Sequence, residues 1–167
     1  RGRPHRSVGA TPATARHFSL YPPVSDVPQV ADDVYVDVPP EAAFEYMDVP
    51  EHQAEITPSL SAVETVEQLP NGGKRATYTY RMAGVALDGE GAAGTHEPPR
   101  RIVFEMTGAL EGTIEWTFDP EGEGVRISYA AEYDLPIPVL DRLAEPFVRK
   151  YNERELETTL RNLQTRL

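Results

Sequence analysis

From Ser61 to Tyr133 the chain falls into six successive runs in which apolar and polar residues alternate with a period of two. The runs are Ser61 to Leu69, Lys74 to Met82, Val85 to Ala93, Arg101 to Leu110, Thr113 to Phe118 and Val125 to Tyr133. Period-two alternation puts successive side chains on opposite faces of an extended backbone, so each run reads as a strand with one dry face. Most are separated by residues that tolerate tight or left-handed backbone: Asn71-Gly72-Gly73, the stretch from Gly94 to Pro99, Glu111-Gly112, and Asp119-Pro120-Glu121-Gly122. Connections this short leave no room for crossovers, and an antiparallel meander follows.

Parity separates the two faces. Tyr78, Tyr80 and Met82; Ile102, Phe104 and Met106; Ile114, Trp116 and Phe118; and Val125, Ile127, Tyr129, Ala131 and Tyr133 fall on one side. Arg75, Thr77, Thr79, Arg81, Glu105, Thr107, Thr113, Glu115, Thr117, Arg126, Ser128 and Glu132 fall on the other. The first face is apolar with tyrosine hydroxyls as its main polar groups, and the second is solvated. If Val85 and Leu87 point inward, so do Gly89, Gly91 and Ala93. Small residues there leave space beside large aromatics, or else permit a bulge or bend in the strand; the two are compatible.

The flanks have a different pattern. Val30, Val34, Tyr35, Val36 and Val38 form a β-branched and aromatic run that stops at Pro39-Pro40 and reads as a first strand. Pro40 and Glu41 open a short helix with Ala43, Phe44 and Met47 on one face, broken at Pro50, and a second short helix covers Glu51 to Glu55. At the C-terminus the period lengthens to about 3.6, with Leu140, Leu143, Phe147, Tyr151, Leu156, Leu160, Leu163 and Leu167 along one side of a long helix. Pro146 falls within that stretch and is expected to kink it or to divide a leading turn from the main helix. The element order implies an α+β fold with the helix lying across an antiparallel sheet.

Composition limits what such a fold can do. With 167 residues and no cysteine, the chain has room for one core and lacks thiolate metal ligands and thiol nucleophiles. No apolar run reaches the roughly 20 residues of a spanning helix. The first carboxylate is Asp26, so twelve of the sixteen basic residues face all 27 acidic ones beyond Ser25. A body so acidic repels phosphate backbones, and nucleic acid is not an expected partner. Scarce lysine with abundant Asp and Glu fits a salt-loving cytoplasm, and GC-rich coding produces the same bias. Residues 1–29 carry Arg1, Arg3, Arg6 and Arg16 with several prolines and form a basic arm, leaving residues 30–167 as the folded domain. The arm resembles a transit peptide in composition but lacks the apolar centre of a secretory signal. A cytoplasmic location is expected.

Catalytic motifs are sparse. His5, His17, His52 and His96 are scattered, with the last two in connecting segments, and no H-x-x-x-H or G-x-S-x-G pattern occurs. Gly89-Glu90-Gly91-Ala92-Ala93-Gly94 matches the dinucleotide glycine pattern but has no helix after it.

Four segments point to a family. Val36-Asp37-Val38-Pro39-Pro40-Glu41-Ala42-Ala43-Phe44, Asp48-Val49-Pro50-Glu51-His52, Pro98-Pro99-Arg100-Arg101-Ile102-Val103-Phe104 and Thr113-Ile114-Glu115-Trp116-Thr117-Phe118, in this element order, resemble the helix-grip superfamily. That superfamily includes START lipid-transfer domains, polyketide cyclase/dehydrase-like proteins, coenzyme Q-binding proteins and Bet v 1 allergens. The resemblance implies a seven-stranded antiparallel sheet wrapped around a long C-terminal helix, with two short helices after the first strand. It also implies a cavity between sheet and helix for a small hydrophobic molecule: a lipid, an isoprenoid or quinone, or a polyketide. The superfamily has no shared catalytic motif to carry over.

Together these readings give a binding or transport protein for an apolar ligand. A polyketide cyclase or dehydratase aided by a tyrosine or His96, and an interaction module using the same groove, are the alternatives. The expected cavity lining is Tyr78, Tyr80, Met82, Phe104, Met106, Trp116, Tyr129, Tyr133, Phe147 and Tyr151, with His96, Arg100 and Arg101 at its mouth. Asp88, Glu90 and Glu97 are possible acids near that mouth, and Arg149 and Asn152 are polar candidates on the helix. No cofactor or metal is expected.

Overall fold

The computed structural model describes residues 29–136 and 145–167. Nearly all of the expected arm, together with Leu140 and Leu143, lies outside them. The elements are β1 (Gln29–Val36), α1 (Pro40–Met47), α2 (Pro50–Ile56), β2 (Leu60–Gln68), β3 (Lys74–Met82), β4 (Val85–Glu97), β5 (Arg101–Gly108), β6 (Glu111–Glu121), β7 (Gly124–Asp134) and α3 (Glu145–Arg166). One antiparallel sheet has the order β1-β7-β6-β5-β4-β3-β2, so β2 to β7 form the meander and β1 closes on β7. The two short helices carry the chain from one sheet edge to the other, and α3 lies across the concave face. This is the helix-grip fold.

Local sequence explains the short helices. Each has proline in its first turn, where a missing N–H costs no hydrogen bond, followed by Glu41 or Glu51 at the positive end of the helix dipole. Ala43, Phe44 and Met47 of α1 are buried, as are Pro50 and Ile56 of α2. The sheet faces separate as parity requires. Ile102, Trp116, Phe118, Val125 and Ile127 are at most 1% exposed, whereas the convex face carries ion pairs from Arg75 to Glu67 and Glu90, Arg101 to Glu115, and Arg126 to Asp33 and Glu121. At such exposure each pair adds about 0–1 kcal/mol, and the buried face carries the stability.

Two local expectations need correction. The first is the turn from Gly94 to Pro99: β4 instead continues to Glu97, through a register shift between Ala93 and Thr95. The shift reverses the alternation, so His96, opposite the buried Ile102, turns inward and is not in a connecting segment. The second is His52, which lies in α2 with Nδ1 2.8 Å from the Tyr46 carbonyl and its ring stacked on Tyr46. Pro146 sits in the first turn of α3, and the helix runs from Glu145 to Arg166, so of the two outcomes expected of this proline the kink does not occur.

The buried side chains form two clusters. One joins α1, α2 and the C-terminal half of α3 (Leu156, Leu160, Leu163) to Phe104, Trp116 and Phe118. The other joins Met82, Leu87, Met106, Leu110, Tyr133 and Leu135 to Val148 at the start of α3. Helix α3 makes its closest backbone approaches to β1 and α2, which holds it away from the middle of the sheet.

Candidate functional site

A cavity of about 130 Å³ remains between the concave face and α3, bordered by both clusters. Its floor is Ala76, Tyr78 and Tyr80 of β3, Gly91 of β4, Phe104 and Met106 of β5, Ile114 and Trp116 of β6, and Tyr129 and Tyr133 of β7. Leu110 and Val30 extend it, Pro50, Gln53, Thr57, Leu60 and Val63 wall it from α2 and β2, and Asn152, Glu155, Leu156 and Thr159 cover it from α3.

Gly91 and Gly89 of β4 each make space, in different ways, while the irregularity the sequence allowed falls at Gly94, between Ala93 and Thr95. At Gly91 a Cβ would meet nothing within 4 Å, so the missing side chain is part of the void. At Gly89 a Cβ would stand 2.7 Å from the Tyr78 hydroxyl, so the missing side chain makes room for that ring.

Seven of the ten expected lining residues border the cavity: Tyr78, Tyr80, Phe104, Met106, Trp116, Tyr129 and Tyr133. The other three do not. Met82 is fully buried in the second cluster. Phe147 is 68% exposed, one position round the helix from the buried Val148, which corrects the expected stripe. The Tyr151 hydroxyl is 2.6 Å from Ser59 Oγ and donates to the Arg81 carbonyl at 3.2 Å, and so joins the start of β2 to α3 outside the cavity.

The expected mouth is not there. Arg101 binds Glu115 on the convex face, and Arg100 is exposed in the turn before β5. His96 is buried against Phe44, with Nε2 donating to Asp48 Oδ1 at 2.8 Å, while Lys74 Nζ donates to Asp48 Oδ2 at 2.8 Å. That cluster ties the end of α1 to β3 and β4, away from the cavity. Of the acids expected near the mouth, Asp88 accepts from Thr79 and Glu90 from Arg75, both across β3 and β4.

Sequence periodicity underused α3. Asn152, Glu155, Leu156 and Thr159 follow a three- and four-residue spacing and therefore share one face. Asn152 is among the polar candidates of the sequence, whereas a stripe read from apolar residues passes over Glu155 and Thr159. Glu155 Oε1 accepts the Ser59 N–H at 2.7 Å, which holds this carboxylate at the cavity edge.

The tyrosines are kept protonated. Burial pushes the Tyr78 phenol up to about 12. Burial also raises Tyr80, Tyr129 and Tyr133, and the Glu155 carboxylate adds to each rise. At neutral pH these groups are neutral hydroxyls that donate and accept but do not act as bases. Among the described residues there is no group of three or more potential metal ligands, and no helix is long and apolar enough to cross a membrane.

Residues 28–167 match the family described as polyketide cyclase / dehydrase and lipid transport. The chain belongs to this family. Solved structures similar to this polyketide cyclase/dehydrase family member include a protein from Thermus thermophilus, at 24% identity and TM-score 0.72, covering 83% of this chain and 96% of that one. A START superfamily protein from Mycobacterium smegmatis is similar at 14% identity and TM-score 0.70, with 83% and 95% covered. The Zhui aromatase/cyclase from Streptomyces sp. R1128 is similar at 16% identity and TM-score 0.68, with 84% and 93% covered. These likenesses are of fold. No curated protein matches the family member described here.

Proposed function

We propose that the chain binds and carries a small apolar molecule in the cavity between sheet and α3. The observation that carries this reading is the void itself: a partly open space lined by Phe104, Met106, Leu110, Ile114, Trp116 and Leu156, with a glycine at Gly91 where a side chain would fill it. Burying ligand surface there supplies affinity at about 25 cal/mol per Å². A cavity of this size accommodates a body near that of one aromatic ring, and a longer isoprenoid, lipid or polyketide chain requires α2 and α3 to move apart. The tyrosine hydroxyls orient the guest, since burial keeps them protonated and removes them as bases.

The test is native mass spectrometry of the protein purified from its own host. A discrete non-covalent mass excess that extracts into organic solvent supports the carrier reading. Purified protein that binds no apolar probe and instead turns over a poly-ketone overturns it in favour of a cyclase.

A further inference from the structure

The seam between β2 and α3 is held by side chains. β2 is an edge of the sheet, and the closest backbone approaches of α3 are to β1 and α2 instead. Ser59, the residue before β2, bridges the gap: its N–H donates to Glu155 Oε1 at 2.7 Å, and its Oγ lies 2.6 Å from the Tyr151 hydroxyl. Beyond it, the pairing of β2 with β3 shifts register between Ser61 and Glu64, where Ala62 takes a φ of 50°. That bulge falls where Val63 joins Leu60 on the cavity lining, and both are half-buried, as are Gln53 and Thr57 of the same wall.

Glu155 stands on this seam. It is half-buried, and among the described residues it is the only charged side chain on the lining. The Ser59 N–H fixes Oε1, while Oε2 has no hydrogen-bond partner among the described residues. Its charge reaches the cavity floor: burial opposes ionisation of Tyr80, Tyr129 and Tyr133 first, and this carboxylate opposes it further in all three, from β3 to β7. A carboxylate only accepts hydrogen bonds, so it stabilises a donor, above all a positively charged one, and repels an anion. The rest of the chain has the same sign, with 27 acidic residues against 16 basic ones, and raises the local concentration of cations. At a half-buried edge a cation keeps part of its water, so pairing there avoids the full cost of burying an ion.

We propose that the seam between β2 and α3 is the mouth of the cavity, and that Glu155 there selects a ligand whose apolar body ends in a protonated amine. The body lies against Phe104, Met106 and Trp116, and the ammonium group donates to the Glu155 carboxylate. The charge preference is the reverse of what a mouth beside Arg100 and Arg101 would have. This rests on the reading that the cavity holds an apolar body, and it adds the place and the sign of the head.

The experiment compares toluene, benzylamine and benzoate, which share one ring and at neutral pH carry no charge, a positive charge and a negative charge. Affinity is read from the fluorescence of Trp116, the single tryptophan, which borders the cavity. The expected result is benzylamine binding about tenfold more tightly than toluene and benzoate more weakly than toluene. The Ser59 amide signal in a proton–nitrogen correlation spectrum should move with benzylamine and not with toluene, because its acceptor is the carboxylate the amine engages. Glu155→Gln keeps an acceptor for the Ser59 N–H and should bring benzylamine down to the affinity of toluene. Glu153→Gln removes the same charge from the exposed side of α3 and should leave the preference intact. Benzylamine no tighter than toluene, benzoate matching benzylamine, a Ser59 signal indifferent to benzylamine, or a preference that survives Glu155→Gln each overturns the assignment and leaves the apolar carrier standing. If none of the three binds, the carrier reading itself fails and takes this one with it. Should Glu155→Gln not fold, the wild-type affinities and the Ser59 signal decide alone.

Discussion

Replacing Gly91 with leucine should stabilise the protein and empty it of ligand at once. The backbone at Gly91 is ordinary strand, and a Cβ built there meets no atom within 4 Å. Removing glycine's freedom in the unfolded chain contributes about 0.4–1 kcal/mol. Full burial of the isobutyl group would add about 1.5–3 kcal/mol, against about 0.5–1 kcal/mol of lost rotamer freedom. Because the cavity wall does not close fully around the new side chain, the net expectation is about 1–2 kcal/mol, or a rise in Tm of about 2–8 °C. The same substitution occupies the space a guest needs, so the affinity for a single-ring apolar probe should fall at least about tenfold. Thermal unfolding followed by circular dichroism, and titration followed by Trp116 fluorescence, measure the two effects on one sample. A fall in Tm would mean that atoms back this position and that the void is not there. A raised Tm with unchanged probe affinity would place the probe elsewhere.

On the helix, Leu160→Ala should cost about 2–5 kcal/mol in denaturant unfolding, because Leu160 is 3% exposed, whereas Phe147→Ala should change stability by less than about 0.5 kcal/mol; the reverse order would invert the assigned helix face. Asp48→Asn turns an amide N–H toward one of its two donors, Lys74 or His96, and should cost about 1–3 kcal/mol; a neutral result would show that the cluster does not hold α1 to the sheet. At alkaline pH the folded chain keeps the protons of Tyr78, Tyr80, Tyr129 and Tyr133 after the unfolded chain has released them. The stability this contributes is therefore fully present below the ordinary tyrosine value of 10.0 and is lost as pH rises toward about 12, where Tyr78 ionises. Ultraviolet titration of the phenols should show a late-ionising group that joins the early one only on unfolding; a single early transition in the folded protein would place those rings in solvent.

The amino-acid sequence by itself determined the strands and their faces. Alternation is a local property: once Phe104 faces the core, Ile102 and Met106 must do so as well, whatever the rest of the chain does. The prolines opening α1 and α2 act just as locally. For the same reason most of the sheet's contribution to the cavity, from Tyr78 to Tyr133, was legible in the order of residues alone. What lay beyond reach depends on residues distant in sequence. The register shift at Gly94 is a matter of how β4 meets β5, and it alone turns His96 from the expected mouth into the closed end of the sheet. The exposure of Phe147 depends on where α3 begins relative to the sheet edge. That Asn152 and Glu155 meet the cavity, and that Gly91 adjoins empty space while Gly89 makes room for Tyr78, depends on the height at which α3 rides over the strands. A void is the volume left where separately folded surfaces fail to touch, so no single element encodes it; only packing the helix, the two short helices and the sheet together fixes its size and its polar groups.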